Sequence, residues 1–71
     1  MPLIMSSTGE CNIIKNIIGQ DEITRFLERL GFVVGSPIIV VSEMGGNMIV
    51  NIKDSRIAIS RSMANRIVVP F

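Results

Sequence analysis

The sequence predicts a mainly β protein: a small antiparallel barrel of five or six short strands with one helix inserted at about residues 21–30. Three observations carry this. Isoleucine and valine supply twenty of the 71 residues against three leucines, and β-branched side chains favour pleated, half-buried strands. Apolar and polar residues alternate in short runs separated by glycine, proline, aspartate and serine, as strands and turns do. Only one stretch has helical spacing. Short strands leave exposed edges unless the sheet curls onto itself, so closure into a barrel is the economical arrangement.

Leu3 to Met5 is a short apolar start, predicted as an edge strand, followed by the polar connection Ser6-Ser7-Thr8-Gly9. Glu10 to Ile18 reads as a strand with a bend where the pattern shifts. Cys11 and Ile13 fall on one face, Ile14 and Ile18 on the other, and Gly19 ends it. Asp21 to Leu30 is the helix: Ile23, Phe26, Leu27 and Leu30 recur at i, i+3, i+4 and i+7, a single stripe expected to face the sheet. Asp21 and Glu22 complement its positive end and Arg29 its negative end. Gly31 stands where a left-handed residue stops a helix, and Phe32 follows in position to touch Leu27.

Gly35-Ser36-Pro37 is a turn, and Ile38 to Ser42 is a strand with apolar residues on both faces. Residues 43–47 form a hairpin connection around Gly45-Gly46. Met48 to Lys53 alternates cleanly, with Met48, Val50 and Ile52 on one face. Asp54-Ser55 turns the chain, and Arg56 to Ser60 follows with Ile57 and Ile59 inward. Ser62 to Asn65 reads as one helical turn, and Arg66 to Val69 as the last strand, stopped by Pro70.

Composition bounds the function. A chain of this length is one domain, residues 1–71. Hydrophobic residues make up 48%, charged ones 18%, and the net charge is +1. Such a chain is too apolar to be a disordered tail and too neutral to project a broad attractive field at nucleic acid. The single cysteine, Cys11, has no intrachain partner, and there is no histidine. The commonest general base and metal ligand are therefore missing. Cys11 reads as a small apolar residue inside a strand. The carboxylates are scattered, and Gly45-Gly46 lacks the Lys-Ser/Thr of a phosphate loop. No enzyme, cofactor or metal site is expected. The longest uninterrupted aliphatic run, Ile38 to Val41, falls far short of a membrane span, so the expected location is cytosolic.

Two features remain unabsorbed. Residues 51–71 hold Lys53, Arg56, Arg61 and Arg66 against Asp54 alone. There is also an aliphatic surplus: if Ile38 and Val40 point inward, Ile39 and Val41 do not, or the reverse, and Ile14, Ile18 and Ile49 pose the same problem. An uncovered remainder argues for a partner or for self-association. The candidate contact residues are Ile39 and Val41 as an apolar anchor, with Arg56, Arg61 and Met63 as its rim. A small-barrel nucleic-acid module using the basic C-terminal third is the alternative. It is weakened by the few aromatics, Phe26, Phe32 and Phe71, available for base stacking.

These residues resemble a known family. Asp21-Glu22 to Leu30-Gly31-Phe32, then Val34-Gly35 and Ile38 to Val41, is similar to the "L-G-hydrophobic-x-x-G-x-x-I" signature of the ferrous iron transport protein A family. Met48-Ile49-Val50 with Arg56-Ile57-Ala58-Ile59-Ser60-Arg61 resembles its central strand pair, and Ala64 with Ile67-Val68-Val69 its closing segment. The similarity runs from Leu3 to Val69. It departs at Ser60, where the family commonly has arginine, and at Val33-Val34, where a proline often precedes the glycine. The resemblance implies an SH3-like barrel with an inserted helix. It also implies a cytosolic accessory role, with the cytoplasmic GTPase domain of the ferrous iron permease (FeoB) as partner. No catalytic motif comes with it. The same barrel appears as the C-terminal domain of metal-dependent repressors, so a metal-sensing domain is a further alternative. No helix-turn-helix precedes it in this sequence, so the transport accessory is the expectation.

Overall fold

The computed structural model describes residues 1–70, leaving Phe71 outside the described residues. The barrel is present, with six strands: β1 (Cys11–Ile13), β2 (Asn16–Ile17), β3 (Pro37–Met44), β4 (Asn47–Ile52), β5 (Ser55–Ser60) and β6 (Ile67–Val68). Two helices interrupt them: α1 (Glu22–Arg29) and the single turn α2 (Arg61–Ala64). The strands form an antiparallel sheet in the order β1-β3-β4-β5 and a second antiparallel pair, β2-β6.

The predicted strand from Glu10 to Ile18 is two strands in two sheets. The backbone changes partners within one residue. Ile14 N–H donates to the Ser36 carbonyl at 2.9 Å, on the β3 side, and Lys15 N–H donates to the Val68 carbonyl at 2.8 Å, on the β6 side. This corner is where the barrel folds over. It sends Ile14 into the core and leaves Ile13 and Ile18 exposed. Cys11 lies in the strand as expected, but its side chain is exposed, not packed.

Leu3–Met5 is a 3₁₀ turn, where an edge strand was predicted. In a strand, Leu3 and Met5 would share a face. The tight turn, closed by Ser6 N–H to the Leu3 carbonyl at 2.8 Å, instead drives Leu3 fully into the core and leaves Met5 in solvent. Just before it, Pro2 bridges Val68, Met1 accepts from Val69 N–H at 2.8 Å, and the Met1 amine donates to the Val69 carbonyl at 2.7 Å.

Helix α1 begins and ends as its residues dictate. Asp21 caps it, its Oδ1 accepting from Thr24 N–H at 3.3 Å. At the other end, Gly31 N–H reaches the Glu28 carbonyl and Phe32 N–H the Leu27 carbonyl, each at 3.0 Å. These are the paired bonds of a Schellman stop. Gly31 sits at φ +105°, a conformation that L side chains rarely adopt. The buried stripe is rotated from the predicted one. Leu27 and Thr24 face the core and Leu30 is half-buried, while Ile23 and Phe26 are exposed. Contacts outside the helix hold this rotation: Thr24 Oγ1 donates to the Ile18 carbonyl at 3.3 Å, and Phe32, just past the stop, is fully buried.

Arg66, just before β6, fastens the start of α1 by donating from Nη1 to Asp21 Oδ1 at 2.8 Å. On its way the guanidinium crosses Gly19, where an added Cβ would stand 2.6 Å from Nη1. Hydrogen bonding to Arg66 holds the Asp21 carboxyl below its ordinary value of 3.8. A carboxyl whose folded value is lowered adds stability that is present above the unfolded value and lost as the pH falls through the folded one. Asp21→Asn, which keeps a capping oxygen, is therefore expected to flatten part of the acid-side fall in thermal midpoint below pH 3.8. An unchanged acid slope in thermal melts would show that the ion pair is uncoupled from folding.

The hairpins are tighter than the sequence suggested. Met44 faces Asn47 across Gly45-Gly46 alone, with Gly45 at φ +60°. Ile52 faces Ser55 across Lys53-Asp54, both left-handed at φ +49° and +62°, a type I′ arrangement built without glycine. The ladder between β3 and β4 slips once, between Val40 and Ser42, so Val41 is a bulge residue. Inward positions Ile38, Val40, Met48, Val50, Ile52 and Ile59 form one core with Phe32, Leu27 and Ile67.

Candidate docking surface

Directly opposed residues of an antiparallel sheet share a face. The registers therefore place Cys11, Ile39, Asn51 and Arg56 in one row on the outer face of the four-stranded sheet. The next outward row holds Ser42, Ile49 and Ala58, with the bulge residue Val41 between the two rows. Ile38 and Val40 are fully buried, whereas Ile39, Val41 and Ile49 are only half-buried among the described residues. The structure thus brings together three of the candidate residues: Ile39 and Val41 form an apolar strip and Arg56 stands exposed at its margin.

The other two lie elsewhere. Arg61 opens α2 and is exposed, and Met63, half-buried on the same turn, packs against the core. Met63 also lines a shallow groove of about 400 Å³ with Ile23, Phe26, Arg29, Ser60 and Ser62. Ile23 and Phe26 are the residues that sequence reasoning missed, because a helical stripe was assigned whole to the core. No local pattern marks them: Thr24 lies on the buried line with its Oγ1 donating to the Ile18 carbonyl at 3.3 Å, a contact outside the helix.

The basic residues of 51–70 are spread along β5 and beyond its ends. Arg66 is paired with Asp21, Lys53 sits in the turn before β5 with Arg56 on that strand, and Arg61 follows its far end. Among the described residues, no three of His, Cys, Asp and Glu stand together in a way that could hold a metal ion. No helix of the described residues is long and apolar enough to cross a membrane.

Six short antiparallel strands, an inserted helix and a one-turn helix before the last strand define a small SH3-like barrel. The FeoA domain family matches over residues 1–70, and the chain belongs to that family. No curated protein matches it by sequence. Solved structures agree. An iron uptake regulatory protein (FeoA) is 30% identical with a TM-score of 0.87, the match covering 97% of this chain and 92% of that one. FeoA of Stenotrophomonas maltophilia, solved with zinc, is 28% identical with a TM-score of 0.87, over 99% of this chain and 89% of that one. It is described as a prokaryotic SH3 domain protein and proposed as a ferrous iron transport activating factor. The zinc of that relative meets no ready ligand set among the described residues here. A manganese-dependent transcriptional repressor has a TM-score of 0.90 at 19% identity, over 99% of this chain and 35% of its own, a likeness of fold alone.

Proposed function

We propose that this chain is a non-enzymatic, cytosolic accessory protein of bacterial ferrous iron uptake that docks onto the cytoplasmic GTPase part of the permease FeoB. Ile39 and Val41 anchor the contact and Arg56 orients it, with Arg61 and Met63 as a second, peripheral contact at α2. The observation that carries the reading is the uncovered apolar strip on the outer sheet face, in a chain that belongs to the FeoA family. Membership supplies the system, and the strip supplies a surface whose burial would drive association.

The reading predicts weak salt dependence. Binding of the purified chain to the permease's cytoplasmic domain, followed by calorimetry, is expected to change little across a roughly tenfold rise in salt, because apolar burial releases no counterions. A steep loss of affinity with salt, or tighter binding to single-stranded nucleic acid than to the permease domain, would replace it with the nucleic-acid reading. The dispersal of Lys53, Arg61 and Arg66 speaks against that alternative.

A further inference from the structure

Strand β5 ends the larger sheet, and no strand among the described residues pairs with its outer edge. The preceding turn determines which backbone groups are free there. A two-residue hairpin makes its flanking residues, Ile52 and Ser55, a hydrogen-bonded pair, and such pairs alternate along an antiparallel ladder. Ser55, Ile57 and Ile59 therefore direct their N–H and C=O groups to β4, while Arg56 and Ala58 direct theirs outward. The interior is also unfinished at this side. In the inward row Val40–Val50–Ile57, the two valines are fully buried and Ile57 is only half-buried. The usual protections of an edge are few: β5 has no proline, no lysine and an unbroken register, and its one charge is Arg56.

We propose that this edge pairs antiparallel with the β5 edge of a second copy of the chain, about a two-fold axis beside Ala58. In that register Ala58 faces Ala58 of the second copy, Ile57 faces Ile59, and Arg56 faces Ser60. The strand is patterned symmetrically about Ala58, isoleucine on each side and a polar residue beyond, which suits a self-complementary partner. No like charges meet, and a net charge of +1 opposes association only weakly. The pairing satisfies the outward groups of Arg56 and Ala58 and covers Ile57. It joins two sheets into one and leaves the Ile39–Val41 strip of each copy open, so it stands independently of permease docking.

The test uses the full chain in sedimentation equilibrium up to millimolar concentration, with amide hydrogen exchange on the same samples. Wild type is expected to associate, and the Arg56 and Ala58 amides to exchange more slowly as it does. Ala58→Pro removes a free-edge donor at a position where proline is tolerated. Ala58→Lys, on the exposed outward face, sets like charges opposite each other across the axis. Each is expected to weaken association by about tenfold or more with its thermal midpoint at low concentration little changed. The lysine variant alone decides the matter if the proline variant fails to fold. A wild type that stays monomeric throughout, or a dimer that persists in Ala58→Lys, overturns the proposal. So does protection of the edge amides only when the permease domain is added, which would assign the edge to a foreign strand.

Discussion

Phe32→Ala is expected to leave little cooperatively folded protein at ambient temperature. Phe32 is fully buried and heads the largest side chains of the core. It is also the residue after Gly31 in the helix stop, so its ring packs where α1 is pinned to the sheet. Removing a buried phenylalanine costs about 3–5 kcal/mol. The whole stability of a domain of this length is about 4–11 kcal/mol at the usual yield per residue. The loss therefore consumes a large share of what holds the barrel. Urea denaturation followed by circular dichroism checks this: the midpoint should fall by roughly half, or the transition should vanish. A midpoint within a few tenths molar of wild type would show that the core does not centre on this ring.

Ile39→Asp is expected to reduce permease-domain binding by about a hundredfold or more while leaving the fold intact. The side chain is outward and half-buried, opposite Cys11 and Asn51, so a carboxylate there can stay hydrated in the free protein. In a docked complex the same carboxylate would be desolvated without a partner, which is the costly case. Ile38→Asp is the contrasting variant. One residue away but fully buried, it should unfold the chain, not merely block binding. If Ile39→Asp and Val41→Asp both bind as wild type does, the contact lies off the sheet. The α1–α2 groove of Ile23, Phe26 and Met63 is then the surface to test.

The elements legible from the sequence were those governed by local rules. Alternation in Met48–Ile52 fixed which side chains are inside, and the Leu27, Gly31 and Phe32 spacing fixed how α1 ends. What could not be read depends on partners distant in the chain. Nothing local tells residues 14 and 15 to bond to opposite sheets, since Ser36 and Val68 supply those acceptors. Leu3 reads as strand until its place in the core is known, and the rotation of α1 depends on contacts outside the helix, Thr24 with the Ile18 carbonyl and Asp21 with Arg66. The candidate surface followed the same division. Ile39, Val41 and Arg56 come together because strand register is a two-fold alternation that sequence displays. Arg61 and Met63 sit apart from them because the helical turn after β5 leaves the sheet plane, a direction that no period encodes.

The reciprocal bonds between Met1 and Val69 fasten both extremities of the barrel side by side. A longer polypeptide could carry this unit as an insert, leaving and re-entering its own course within about one strand spacing, 4.8 Å. The nitrogen of Met1 would keep its contact with Val69 as a peptide amide. For the same reason, a circularly rearranged chain, opened at Gly45-Gly46 and closed by a short flexible linker between the two ends, is expected to retain the ladders described above.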